Sequence, residues 1–225
     1  MALLTAITAP AYAAGGAYFS GVYANLAGVR DYHGYVPSSY RPGTPMPLLV
    51  ALHGCTENDV GFDLLSGWSA LAEERGFIVV FPDQSNLANP AGCWNWPLPV
   101  NQHRGQGEPS IIAGITNKIR SQYSVDSRRV FTTGVSADRI AGQWAVVDGI
   151  DAVPDEVAHG QVPAGRSYTH LTYRSAAGRS LIEQYMIDGA GHAYPGGCSC
   201  SLYGDPAGPD ASTITRDFFL ANPKT

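Results

Sequence analysis

The chain has 225 residues, enough for one domain with a full-sized core. Hydrophobic residues make up 44% and charged residues 15%, a balance that excludes a disordered chain and points to a globular one. The net charge is −5 and there is no basic run, which argues against nucleic acid or an anionic membrane as partner, and no stretch of about 18 apolar residues predicts a membrane span.

The first residues, "MALLTAITAPAYAAGG", are small and apolar, and Ala11-Tyr12-Ala13 matches an A-x-A cleavage site. We read residues 1–13 as the remnant of a secretory signal peptide, with a disordered Ala-rich start as the plainer alternative, and residues 14–225 as a single domain. Residues 29–36 alternate as a strand does. The proline-rich stretch 37–47 has turn chemistry. "LLVALHG" (48–54) is a continuous apolar run ending in glycine, as in a buried parallel strand. The pattern predicts a helix over 66–75 capped by Gly76, and a second buried strand over 77–83. Residues 84–108 read as a long loop containing "GCWNW". A helix is predicted over 109–123, with Pro109 in its first turn and Ile111, Ile112, Ile115 and Ile119 on one face. A strand over 128–134 follows, then a helix over 138–148. Residues 168–174 and 180–189 read as paired strands, and 210–222 as a final helix capped by Asp210 or Ser212. Strands alternating with helices imply right-handed crossovers and a mostly parallel α/β sheet covered on both faces.

The chemistry centres on "GVSAD" (134–138). A strand feeding Gly-x-Ser at a helix start exposes a serine hydroxyl as a nucleophile elbow does, although the pattern's last glycine is here Asp138. The plainer reading of Ser136 is a helix cap. His192, in the glycine-rich "DGAGHAYPGG", follows the serine in the order expected of a catalytic base; the alternative is a solvent-facing loop histidine. His53, in "LHGC", suits a role in shaping a loop beside the site. Backbone N–H groups of Cys55 and Ala137 are candidates for an oxyanion hole, Cys55 being otherwise a disulfide half. The four cysteines, Cys55, Cys93, Cys198 and Cys200, lack zinc-ligand spacing, so no zinc site is expected. Three disulfide connectivities are open if the chain is exported. We expect Cys55 with Cys93, and we read Cys198 and Cys200 as too close in sequence to bridge each other.

"VPSSYRPGTPMPLLVALHGCTEN", "FPDQSNLANPAGCWNW", "GEPSIIAGI", "VDSRRVFTTGVSA" and "GAGHAYPGG" together resemble the polyhydroxybutyrate depolymerases and related feruloyl-esterase-like hydrolases. The resemblance spans nearly the whole chain. It implies an α/β-hydrolase fold and a secreted serine esterase, without a metal or organic cofactor, acting on a polyester or a small ester. It implies Ser136 as nucleophile, His192 as base and Cys55 as an oxyanion position. Trp94 and Trp96 then border the substrate cleft, or else simply pack.

One departure stands out. In that family the elbow leads through further strand and helix units before the triad acid. Here Ser136 and His192 are only 56 positions apart, whereas one crossover unit takes about 30 residues, so two between them would need well over 60. An internal block therefore reads as missing, and the acid with it. Asp138 suits a first-turn acid, and nothing selects among Asp148, Asp151 and Asp155. We expect a sheet with fewer strands or an unpaired edge. The second hypothesis is accordingly an impaired or inactive truncated homologue. Oligomeric state is left open.

Overall fold

The computed structural model describes residues 16–103, 105–134, 153–191, 193–200 and 202–222. The expected signal remnant and the expected helix over 138–148 lie outside the described residues. A five-stranded sheet forms the body, with spatial order β1-β2-β4-β3-β5. Its strands are β1 (Ala17–Asn25), β2 (Gly28–Val36), β3 (Met46–Leu52), β4 (Ile78–Pro82) and β5 (Val125–Gly134). β1 and β2 form an antiparallel hairpin closed by Leu26 and Ala27, and β2 runs antiparallel to β4. β3 lies parallel to both β4 and β5. The sheet is thus mixed, with its parallel part at β4, β3 and β5.

The central strands are apolar on both sides, and each side carries helices. On one face Leu48, Val50, Ile78 and Val80 pack against Ile111, Ile115 and Ile119 of α3 (Gly107–Gln122). On the other, Leu49, Ala51, Val79 and Phe81 meet Phe62 and Leu65 of α1 (Asp59–Ser66) and Trp68 and Ala72 of α2 (Trp68–Arg75). Each such aliphatic or aromatic side chain, fully buried, contributes about 1.5–3 kcal/mol. This two-sided burial is why the sequence shows unbroken apolar runs at 48–52 and 77–81 rather than alternation.

Several boundaries differ from expectation for local reasons. The helix expected at 66–75 is α2, which starts at Trp68 because Gly67 takes a left-handed φ of 68° and separates it from α1, a helix the pattern did not predict. α1 itself was signalled by Asn58, whose side chain accepts the Gly61 N–H at 2.7 Å. The loop 84–108 contains a short 3₁₀ turn, Pro99–Gln102, and yields to α3 at Gly107. β1 escaped the periodicity reading because Tyr18 and Val22 put apolar side chains on its exposed side as well.

The C-terminal part forms a separate antiparallel sheet of β6 (Glu156–Gln161), β7 (Ser167–Arg174) and β8 (Ser180–Ile187), which includes the expected strand pair. A short parallel pair, β9 (Tyr194–Pro195) with β10 (Gly204–Asp205), precedes α4 (Ala211–Ala221). Asp210 caps α4 by accepting the Thr213 N–H at 2.9 Å. Ser212 instead donates from its buried hydroxyl to the Ser66 carbonyl at 2.7 Å. Phe219 of α4 stacks on Phe131 of β5 at 4.6 Å. Among the described residues β5 has a strand neighbour on one side only, as the reduced sheet predicts.

The cysteines bring one agreement and one correction. Cys55 and Cys93 are bridged, with Cα atoms 4.2 Å apart. Cys198 and Cys200 are also bridged, against expectation. The chain turns at residues 199 and 200 and brings their Cα atoms to 5.2 Å, inside the usual span of a disulfide, so sequence proximity did not forbid it.

Candidate active site

Because β3, β4 and β5 are parallel, their carboxyl ends share one rim of the sheet, where open α/β folds carry their chemistry. Leu52, at the end of β3, pairs with Gly134, at the end of β5. A Cβ on Gly134 would sit 3.2 Å from the Leu52 carbonyl oxygen, so the close approach of the two strand ends favours glycine there. The loop after β3 carries His53, Gly54 and Cys55. The loop after β4 carries Asp83, Gln84, Cys93 and Trp94. The chain after β5 leads to Ser136 and Ala137, which, like His192, lie outside the described residues.

Two of these loops are stitched together. The Cys55–Cys93 bridge joins them covalently. His53, almost fully buried, accepts the Gln84 backbone N–H on Nε2 at 2.9 Å, while its Nδ1 meets the Gly54 carbonyl at 2.7 Å. A nitrogen that accepts from an amide carries no proton, so the proton sits on Nδ1 and is donated to Gly54. The Trp94 indole N–H donates to the His53 carbonyl at 3.1 Å, and its ring lies 5.6 Å from the imidazole. Trp94 is therefore a brace between the loops. Trp96 is 40% exposed at the surface of the same loop. The Glu57 carboxylate accepts the Gly54 N–H at 2.8 Å.

Beneath the rim lies a buried polar network. Arg30 of β2 donates to Gln84 Oε1 at 2.6 Å and to Glu108 Oε1 at 3.2 Å. Gln84 donates to Glu108 Oε1 at 2.6 Å and to the Cys93 carbonyl at 2.8 Å. Asn95 adds its backbone N–H and side-chain amide to Glu108, at 2.7 and 2.8 Å. One carboxylate thus gathers β2, the loop after β4 and the start of α3. The sequence signals were "FPDQS" and "GEPS", whose polar residues sit beside apolar runs.

A second charged cluster ties α1 to the sheet. His33 Nδ1 lies 2.8 Å from Asp59 Oδ2, and its Nε2 lies 3.5 Å from Asp63 Oδ2. Burial by itself would lower the His33 pKa. Hydrogen bonds and charge from Asp59 and Asp63 outweigh that and raise it to about 9. Burial pushes the Asp59 pKa up, and His33 more than reverses it, leaving it below the ordinary value. Asp83 is raised, first by burial; its carboxylate accepts the Asp59 N–H at 3.2 Å. Among the described residues no group of three or more His, Cys, Asp or Glu side chains is arranged to hold a metal.

Comparison with known proteins places this architecture. The chain is 36% identical over 143 residues to a poly(3-hydroxyalkanoate) depolymerase C of Paucimonas lemoignei, covering 64% of this chain and 33% of that one. It is 31% identical over 144 residues to a probable acetylxylan esterase A of Aspergillus flavus, covering 63% of this chain and 44% of the relative. An acetyl xylan esterase structure from Aspergillus awamori aligns at 31% identity with a TM-score of 0.42, over 47% of this chain and 37% of that one. The chain therefore spans between a third and a half of the length of these curated relatives. Its mixed five-stranded sheet, with helices packed on both faces, has an α/β architecture. The esterase PHB depolymerase family model matches residues 31–162, more than half of the chain, and this protein belongs to that family.

Proposed function

We propose that this chain hydrolyses carboxylic esters, using Ser136 as nucleophile and His192 as general base. The observation that carries the reading is the register of β3 with β5. Leu52 opposite Gly134 sets the Cys55 loop and the chain leading to Ser136 on adjacent strand ends. In this reaction His192 takes the Ser136 proton as the hydroxyl attacks the ester carbonyl, then returns it to the leaving alcohol. Water deacylates the serine by the same route. Backbone N–H groups of Cys55 and Ala137 receive the developing oxyanion, an arrangement in which one donor contributes about 10²–10³-fold to kcat. The substrates we propose are a short-acyl ester, a polyhydroxyalkanoate or an acetylated or feruloylated plant polysaccharide, in line with the depolymerase and acetylxylan esterase relatives. Export through the A-x-A site fits two disulfides in a chain of this size.

A second reading is an impaired homologue lacking the triad acid. Asp155, one of the acids after the elbow, is committed elsewhere: its carboxylate accepts the Arg174 N–H at 2.7 Å in the β6–β7 sheet. Hydrolysis of p-nitrophenyl acetate by the full chain decides between them. Turnover abolished by Ser136→Ala and by His192→Ala supports the first reading, and turnover indifferent to both rejects it.

A further inference from the structure

The turn at 53–56 has an unusual pattern of hydrogen bonding. The His53 carbonyl accepts the Trp94 indole N–H, and the Gly54 N–H is held by Glu57. The Gly54 carbonyl accepts from the His53 ring at 2.7 Å and from the Glu57 N–H at 3.4 Å. The Cys55 carbonyl accepts the Thr56 hydroxyl at 2.6 Å, and the Thr56 N–H reaches the Ala91 carbonyl at 2.8 Å. From the His53 carbonyl to the Thr56 amide, the Cys55 N–H is the one backbone group with no acceptor among the described residues. Thr56 itself takes a left-handed φ of 63°, a conformation that costs a threonine about 1 kcal/mol or more and that persists where surrounding contacts enforce it.

Peptide planarity links two of these facts. The Gly54 carbonyl and the Cys55 N–H belong to one planar trans unit, so they point in opposite directions. Holding the carbonyl inward on a buried imidazole turns the N–H outward to the rim. His53 is 1% exposed and both its ring nitrogens are engaged by backbone groups, so it has no access to substrate. We propose that His53 is a positioning residue: its Nδ1–H fixes the Gly54–Cys55 peptide so that the Cys55 N–H faces the developing oxyanion. This rests on the ester-hydrolase reading above. His53 thereby acts on kcat through a second residue, and its two nitrogens have separable tasks. Nδ1 orients the peptide. Nε2 anchors the loop after β4.

Two substitutions separate these tasks. His53→Asn keeps a donor near the Nδ1 position and loses the acceptor; His53→Gln keeps a group near Nε2 and loses the donor to Gly54. In variants shown by thermal melting to be folded, His53→Asn is expected to keep kcat on p-nitrophenyl acetate within about threefold, while His53→Gln loses about 100-fold in kcat at unchanged KM. Equal losses in the two variants, or losses confined to KM, overturn the proposal. If the wild type shows no Ser136-dependent turnover, the ester-hydrolase reading fails, and the positioning claim is then decided by NMR. A His53 ring protonated on Nδ1 at neutral pH, with a Cys55 amide resonance displaced in His53→Gln and retained in His53→Asn, supports it. An Nε2-protonated ring, or a Cys55 amide unmoved in both variants, overturns it.

Discussion

Arg30 and Glu108 form an ion pair at 3.2 Å with side chains only 5% and 8% exposed, joining the second strand to the helix that follows the long rim loop. Removing one partner of such a pair leaves an uncompensated charge in the interior, which costs about 3–5 kcal/mol. Glu108→Ala is therefore expected to lose stability on that scale in urea denaturation, and the double variant Arg30→Met/Glu108→Leu to lose less than Glu108→Ala alone. A double variant worse than the single one would show that the hydrogen bond Arg30 donates to Gln84 outweighs the cost of leaving its charge unpaired.

The two disulfides should differ in weight. Cys55–Cys93 spans 38 positions and Cys198–Cys200 only 2. Loop-closure entropy then assigns about 4 kcal/mol to the first and under about 2 kcal/mol to the second. Denaturation of Cys55→Ser/Cys93→Ser and Cys198→Ser/Cys200→Ser variants tests the order, and the reverse order would refute it.

His33 predicts an alkaline limit. Its folded pKa, about 9, exceeds the ordinary histidine value of about 6.5. A group raised in the folded state stabilises fully below its unfolded pKa and loses that contribution as pH rises through the folded one. The melting temperature should fall between about pH 6.5 and 9 in the wild type, and fall less over that window in His33→Gln. An identical slope in the two proteins would remove His33 from the account.

Trp94 offers a test of brace against substrate contact. Trp94→Phe deletes the N–H donated to His53 and keeps an aromatic ring, so a loss of about 1–2 kcal/mol in stability is expected with KM unchanged. A raised KM at full stability would instead make Trp94 part of the substrate cleft.

The sequence made the layered core plain, since Leu48 to Ala51 and Phe77 to Phe81 are buried on both faces and therefore read as unbroken apolar runs. The cap on Asp210 and the strand pair at 168–189 were equally legible, because each depends on local chemistry. His53 reads as shaping the loop beside the site, but the groups it binds, and the role of Glu108, were not legible. Their partners lie on β2 (Arg30) and on the loop after β4 (Gln84, Trp94 and Asn95), far in sequence from His53 or Glu108, and only the folded sheet brings them together. The Cys198–Cys200 bridge was missed because a turn, not a count of residues, sets the distance between Cα atoms.

The ring of Phe219 lying flat on Phe131 ties α4 to β5, the strand whose carboxyl end leads to Ser136. In N-to-C synthesis that strand stays uncovered on this side until α4 has left the ribosome. β5 is made before α4, so it gains this cover only once Ala211–Ala221 have emerged. A chain stopped before Phe219 would keep Phe131 bare, and should be drawn into aggregates or handed to chaperones rather than accumulate as a folded fragment.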